Sequence, residues 1–156
     1  MNTIKNNILI LMFSIILLGC SQSVTSGFNK NSLYAQNIQY SKVIKVIKKD
    51  TITAIFNITY LNSVDSSKWD NDKQNFLIGT YTIDDNASQY ILNLNGLKQL
   101  SSKEITKDDE IYKNIAFRNH WAKYEVVTFD DTSEKILTLT YTYSDNKNIT
   151  TSFIKE

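Results

Sequence analysis

TITAIFNITYL, residues 51–61, sets Ile52, Ala54, Phe56, Ile58 and Tyr60 on one face of an extended chain and Thr51, Thr53, Asn57 and Thr59 on the other, with Ile55 and Leu61 as exceptions. Side chains alternate across a strand with a period of two, so this pattern buries one face and leaves the other polar. A helix of the same residues would scatter the apolar positions around its circumference. The β-branched and aromatic composition agrees with a half-buried strand. On the N-terminal side, Tyr40–Ile47 reads as a second strand, and Lys48-Lys49-Asp50 turns the two into a hairpin.

Downstream, Asn62–Asn75 is a polar insertion carrying Asp65, Trp69, Asp70 and Asp72. Phe76–Ile83 and Gln89–Asn95 read as strands joined around Asp84-Asp85-Asn86, and Asn95-Gly96 marks a tight turn. Leu97–Asn119 is more charged, with a short helix expected near Lys107–Ile115. Strand character returns in Trp121–Phe129 and in Ile136–Tyr143, where Leu137, Leu139, Tyr141 and Tyr143 share a face. Beyond a turn at Ser144–Lys147, Asn148–Ile154 closes the pattern. Seven short strands with polar turns and little helix predict an all-β domain over residues 38–156, an antiparallel two-sheet sandwich. Immunoglobulin-like topology, without its inter-sheet disulfide, is the first expectation and a small barrel the second. Proline is absent and glycine occurs only four times. Turn-making therefore falls to Asn, Asp and Ser, whose side chains bond their own backbone.

The N-terminus has a different character. Lys5 precedes an apolar run from Ile8 to Leu18, broken only by Ser14, in the charged-then-apolar order of a signal peptide. As a helix this run reaches about 16 Å, roughly half of a hydrocarbon core of about 30 Å, too short to span it. It ends in Leu17-Leu18-Gly19-Cys20. That ending resembles the lipobox of bacterial lipoproteins. The resemblance implies that residues 1–19 are a signal helix removed before Cys20, that Cys20 receives a diacylglyceryl thioether, and that an acyl chain such as palmitate joins the new amino group. Two or more chains hold a protein stably on a bilayer, where one holds it marginally. Ser21 carries no inner-membrane retention signal, so the outer membrane is the expected location in a two-membrane cell. Residues 20–37 then comprise the lipidated cysteine and a flexible tether, whose ends average roughly 20–25 Å apart as coil. Cys20 is the only cysteine, which excludes a disulfide within one molecule. The segments YILNLNG (Tyr90–Gly96), NHWAKYEVVTF (Asn119–Phe129) and LTLTY (Leu137–Tyr141) are similar to segments of small, uncharacterised bacterial envelope lipoproteins, a similarity that implies no activity.

The formal net charge is +1, and Lys5 would leave with the signal peptide, making residues 20–156 neutral. Such a domain has no general electrostatic attraction for nucleic acid. His120 is the only histidine, and G-x-S-x-G and H-E-x-x-H are both missing, so no nucleophile–base pair stands out. The expectation is a non-enzymatic binding or structural role, with an envelope protein or glycan as partner. As an alternative, Asp65, Asp70, Asp72, Asp84, Asp85, Asp130 and Asp131 offer hard oxygen ligands for calcium if their loops converge at one end of the sandwich. The EF-hand spacing is not met, and turn formation accounts for the same residues.

Trp69, in a polar insertion, is a candidate contact for a partner or glycan, whereas Trp121 at a strand start is expected in the core. Asp84-Asp85-Asn86-Ala87-Ser88 matches the extended acidic sequon resembling that of bacterial N-glycosylation systems, which makes Asn86 a candidate site; Asn57 and Asn148 fit only the shorter Asn-x-Thr form. Lys42, Lys45, Lys48 and Lys49 read as contacts for anionic head groups or, the favoured reading, as charges that keep an outer strand from pairing edge to edge.

Overall fold

The computed structural model describes residues 33–83, 90–143 and 148–155. Cys20, Asp84, Asp85 and Asn86, and with them the signal helix and the lipidation and glycosylation expectations, lie outside the described residues. A short helix, α1 (Leu33–Gln39), leads into a hairpin of β1 (Ser41–Lys48) and β2 (Thr51–Tyr60). Two single-turn helices, α2 (Leu61–Val64) and α3 (Ser66–Trp69), precede β3 (Lys73–Thr82). The strands β4 (Tyr90–Leu94), β5 (Leu97–Lys98) and β6 (Ser101–Ile105) follow, then a 3₁₀ turn at Glu110–Asn114. The chain ends in β7 (Lys123–Asp130), β8 (Ile136–Tyr143) and β9 (Asn148–Ile154).

One sheet has the order β1-β2-β3-β7-β6 and the other β5-β4-β8-β9. Every paired strand runs antiparallel to its neighbour. The alternation in residues 51–61 explains how the two sheets meet. Ala54, Phe56 and Ile58 are fully buried and Tyr60 nearly so, beside Phe76 and Ile78 of β3 and Val127 and Phe129 of β7. The facing sheet contributes Leu92, Leu94, Leu137, Leu139, Tyr141 and Phe153 to the same cluster. Rings interlock across the gap, with Phe56 4.6 Å from Tyr141 and Phe76 5.5 Å from Phe153 between centroids. The result is sandwich-like and does not close into a barrel. The immunoglobulin order sends its third strand to the opposite sheet, whereas here β3 stays beside β2 through Phe56↔Thr80 and Ile58↔Ile78.

Turns follow the expected chemistry. Lys49 and Asp50 both adopt positive φ, 50° and 63°, and Asn95 and Gly96 do the same at 47° and 84°, the mirror-image turns whose twist matches flanking strands. The Asn95 side chain also fastens its turn to β8, donating to Ile136 O at 3.0 Å and accepting from Thr138 N at 2.7 Å.

Three expectations change. Helix α1 begins inside the expected tether and buries Asn37. Leu97–Asn119 holds its expected short helix as a 3₁₀ turn at Glu110–Asn114, but also forms two short strands, β5 and β6. Trp121 is 80 % exposed, because β7 begins two residues later and Trp121 belongs to the turn before it, its N–H donating to Asn119 Oδ1 at 2.9 Å.

The five-stranded sheet also has a covered outer face. Leu77, Ile105, Tyr124 and Val126 project into a second cluster with Leu61 and Ile115, and Trp69, Ile111, Tyr112 and Ala122 pack against it. Central β3 is consequently buried on both faces from Gln74 to Gly79. Strand β1 is an outer strand, as its lysines suggested.

Candidate functional site: a groove beside Trp69

The insertion between β2 and β3 is tied down by two buried asparagines. Asn62 Nδ2 donates to Lys73 O at 2.7 Å and to Trp69 O at 3.1 Å, while its Oδ1 accepts from Asn75 N at 2.9 Å. Asn75 Nδ2 donates to the same Trp69 carbonyl at 2.9 Å, and its Oδ1 accepts from Thr128 Oγ1 at 3.0 Å. These bonds replace the glycine or proline that would otherwise shape a tight connection, and they fix the backbone of Trp69. The Trp69 side chain is half-buried rather than fully exposed, resting on the second cluster with the Lys68 ammonium 5.8 Å from its ring centre.

Beside it runs a groove of about 510 Å³ on the outer face of the five-stranded sheet. Val126, Thr128 and Ile105 line its strand side, with Trp69 and Asn71 from the insertion and Lys103, Asp109 and Ile111 from β6 and the chain that follows it. Asp109 accepts from Thr106 N at 2.8 Å and Thr106 Oγ1 at 2.9 Å, with Lys103 Nζ 3.6 Å away. The Thr106 backbone bond, then its hydroxyl, hold this carboxyl below its ordinary value, and Lys103 adds to the effect. The groove thus offers an indole, an amide, the Ser101 hydroxyl and a paired ammonium and carboxylate. That set suits a polar ligand with an apolar face, bound by stacking and hydrogen bonds. His120 is exposed on the turn before β7 and is not among the groove's lining residues.

Of the aspartates that could serve calcium, Asp65, Asp70, Asp72, Asp130 and Asp131 are among the described residues. Asp65, Asp70 and Asp72 flank α3, at the end where β3 starts, and Asp130 lies at that end too, opposite Lys73. Asp130 pairs with Lys73 at 2.6 Å, and Asp131 with Lys155 at 2.6 Å while also accepting from Gln74. The Lys155 hydrogen bond is the main cause of a lowered Asp131 carboxyl. Asp65 accepts from Ser67 Oγ at 2.6 Å, and Asp72 takes a turn conformation with φ 57°. Lysine ammonium groups therefore provide the positive charge at this end. Strand β3 runs about 30 Å from Lys73 to Thr82, and residues 84 and 85 lie outside the described residues. Among the described residues, no three His, Cys, Asp or Glu side chains are grouped to hold a metal ion.

Asn57 is half-buried and donates to Ala116 O, and Asn148 is exposed where β9 starts. Sequence reasoning singled out Trp69 but not Lys103, Asp109 or Ser101. Their contribution depends on β6 lying beside β7, a pairing that five residues with no clean alternation do not announce. The chain matches no protein-family model, no curated protein and no solved structure.

Proposed function

We propose that this chain is a lipid-anchored protein of the bacterial cell envelope with a non-enzymatic binding or structural role. The diacylglyceryl thioether on Cys20 is its anchor and, in a two-membrane cell, the outer membrane its location. The lipobox resemblance of Leu17–Cys20 supports the anchor. The observation that carries the binding role is the Trp69 groove, where buried amides hold an indole beside a hydroxyl, an amide and a paired ammonium and carboxylate. The frame is immunoglobulin-like in its two-layer architecture, though not in strand order, and the segments that cover the outer face of its five-stranded sheet border the groove.

An envelope protein is the partner we favour. A glycan is the second reading, favoured by Trp69 lying next to Asn71, Ser101 and Asp109 along one groove, since sugars present apolar faces rimmed by hydroxyls. Crosslinking of the full chain in its native envelope, with neighbours identified by mass spectrometry, tests the reading. A discrete protein neighbour should be captured by the native chain and lost in Cys20→Ser and in Trp69→Ala. A neighbour retained in Trp69→Ala refutes the groove as the contact, and one retained in Cys20→Ser refutes the need for the anchor.

A further inference from the structure

The turn preceding β7 is built to display apolar side chains. In Phe117-Arg118-Asn119-His120-Trp121, Trp121 is 80 % and Phe117 56 % exposed. The turn is nonetheless rigidly seated. The Tyr124 hydroxyl accepts from Asn119 N at 2.7 Å and donates to Asn119 O at 3.3 Å, and Ala122 N donates to Asn119 O at 3.2 Å. Arg118 stacks over the Tyr112 ring at 5.2 Å. Phe117 holds a φ of 54°, a conformation that a bulky side chain keeps only where its surroundings impose it. Two exposed aromatic residues on a fixed turn are a presented surface rather than frayed chain.

Register places more apolar residues at the same end. Lys123 pairs with Thr80, and Ile83 N donates to Thr53 O, so Trp121 and Ile83 lie close to one level along the strands. Ile47 pairs with Ile52 on the adjacent hairpin, about 10 Å or less further on. Ile47 and Ile83 are each 64 % exposed. The charges around them are mostly positive. The turn carries Arg118 and Lys123 and no carboxylate, the hairpin tip adds Lys48 and Lys49 against Asp50, and Lys107 and Asp108 follow β6, whose Ile105 pairs with Tyr124. Asp84 and Asp85 follow Ile83 in the sequence and lie outside the described residues.

We infer that this end of the domain, led by Trp121 with Ile47, Ile83 and the surrounding lysines and arginine, docks onto an anionic lipid bilayer as a contact separate from any Cys20 anchor. Tryptophan favours the bilayer interface, and isoleucine gains by entering the acyl boundary. Lysine and arginine next to them gain from acidic head groups. A protein partner would be expected to fill one concavity, whereas these side chains stand on separate projections from one end, which a deformable interface accepts together. Acylation of Cys20 is not required for the contact.

The two tryptophans make the test direct. In the full chain carrying Trp69→Phe, Trp121 is the sole indole, and in Trp121→Phe it is Trp69. Each is added to vesicles of brominated phosphatidylcholine, alone or with about a third phosphatidylglycerol, with circular dichroism verifying the fold. Trp121 emission should shift to the blue and be quenched on the anionic vesicles, while Trp69 emission stays unchanged. Lys48→Glu with Lys49→Glu should weaken that partition by more than roughly tenfold. An unquenched Trp121 overturns the inference and leaves the turn to a protein partner. Equal quenching on neutral vesicles, or quenching of Trp69 alone, overturns it as well.

Discussion

Gly79→Ala tests whether the covered face of the five-stranded sheet is built as described. Gly79 pairs directly with Tyr124 across β3 and β7, and the aromatic ring fills the space where a side chain would stand. A Cβ at position 79 would meet Tyr124 Cε1 at 2.4 Å, Cδ1 at 2.9 Å and Cζ at 3.3 Å, well inside carbon–carbon contact distance. The ring has little room to retreat, being buried, edge-on to Tyr112 at 5.8 Å and held by its hydroxyl to Asn119. Overpacking of this kind costs about 1–3 kcal/mol. At a urea slope of about 1–3 kcal/mol/M, a loss near 2 kcal/mol lowers the unfolding midpoint by about 1 M. With Tyr124→Ala the obstacle is gone, and Gly79→Ala should then be neutral or stabilise by about 0.4–1 kcal/mol through the unfolded chain. Urea unfolding of the four proteins in this cycle should give a coupling of about 1.5–3 kcal/mol. An equal cost of Gly79→Ala in both backgrounds refutes the Gly79–Tyr124 contact as its origin.

Trp121→Ala should change stability by less than about 0.5 kcal/mol, whereas Phe56→Ala, at the centre of the core, should cost about 3–5 kcal/mol; thermal or urea unfolding reads both, and comparable losses would return Trp121 to the core. Asn62→Ala leaves the Lys73 carbonyl and Asn75 N–H without their partner and should cost about 2–3 kcal/mol, measured the same way. Asp109 and Asp131 have carboxyls lowered from 3.8 when folded, so the unfolded chain binds more protons in the acid range. Their contribution is present above 3.8 and lost as pH falls through the lower folded values, so Asp109→Asn with Asp131→Asn should flatten the acid limb of a stability–pH curve. The Asp131 share stays under about 1 kcal/mol because its carboxylate is 47 % exposed. Millimolar calcium should leave the melting temperature unchanged, since Lys73 and Lys155 already pair with Asp130 and Asp131; a stabilisation abolished by Asp70→Asn with Asp72→Asn would support the calcium reading instead.

How much of this was legible depended on whether a residue's role was local. The 51–61 alternation, the Lys49-Asp50 and Asn95-Gly96 turns, and β8 and β9 follow from nearest neighbours, and these stretches took the structure their sequence predicts. Leu61, an exception to the alternation, marks the point where a second layer begins and enters the second cluster. What stayed hidden depended on cross-strand partners. Gly79 is the glycine in an otherwise apolar run, and its meaning lies in a tyrosine forty-five positions along the sequence. Glu125 stands in a buried strand yet is satisfied by the Tyr90 hydroxyl at 2.6 Å and by Ser102. Trp121 departs from the core position its sequence suggests, because an aromatic beside a strand looks the same in sequence whether the strand starts before or after it.

The two outer faces explain why the binding features gather on one sheet. On the four-stranded sheet, Thr138 and Ser152 share a hydrogen bond at 2.9 Å and Thr142 donates to Asn148 at 2.8 Å, so its hydroxyls satisfy one another across β8 and β9. Ile91, Ile136 and Ile154 also stand exposed on this face, among polar residues that water satisfies. The five-stranded sheet instead projects Leu77, Val126 and Ile105 outward, and water cannot satisfy that surface. The chain must return over it, and does so with the insertion after β2 and with residues 106–122 after β6. Each excursion covers part of the face with its own apolar residues and leaves something at its margin, Trp69 with the groove in one case and the Phe117–Trp121 turn in the other. A sheet apolar on both faces therefore demands irregular cover, and here the irregular cover is where an indole and charged groups come together. It follows that substitutions on the threonine face, such as Thr140→Ser, should leave both the envelope crosslinks and the vesicle response unchanged, while changes at Trp69 and Asn71 should alter the crosslinks alone and changes at Trp121 the vesicle response alone.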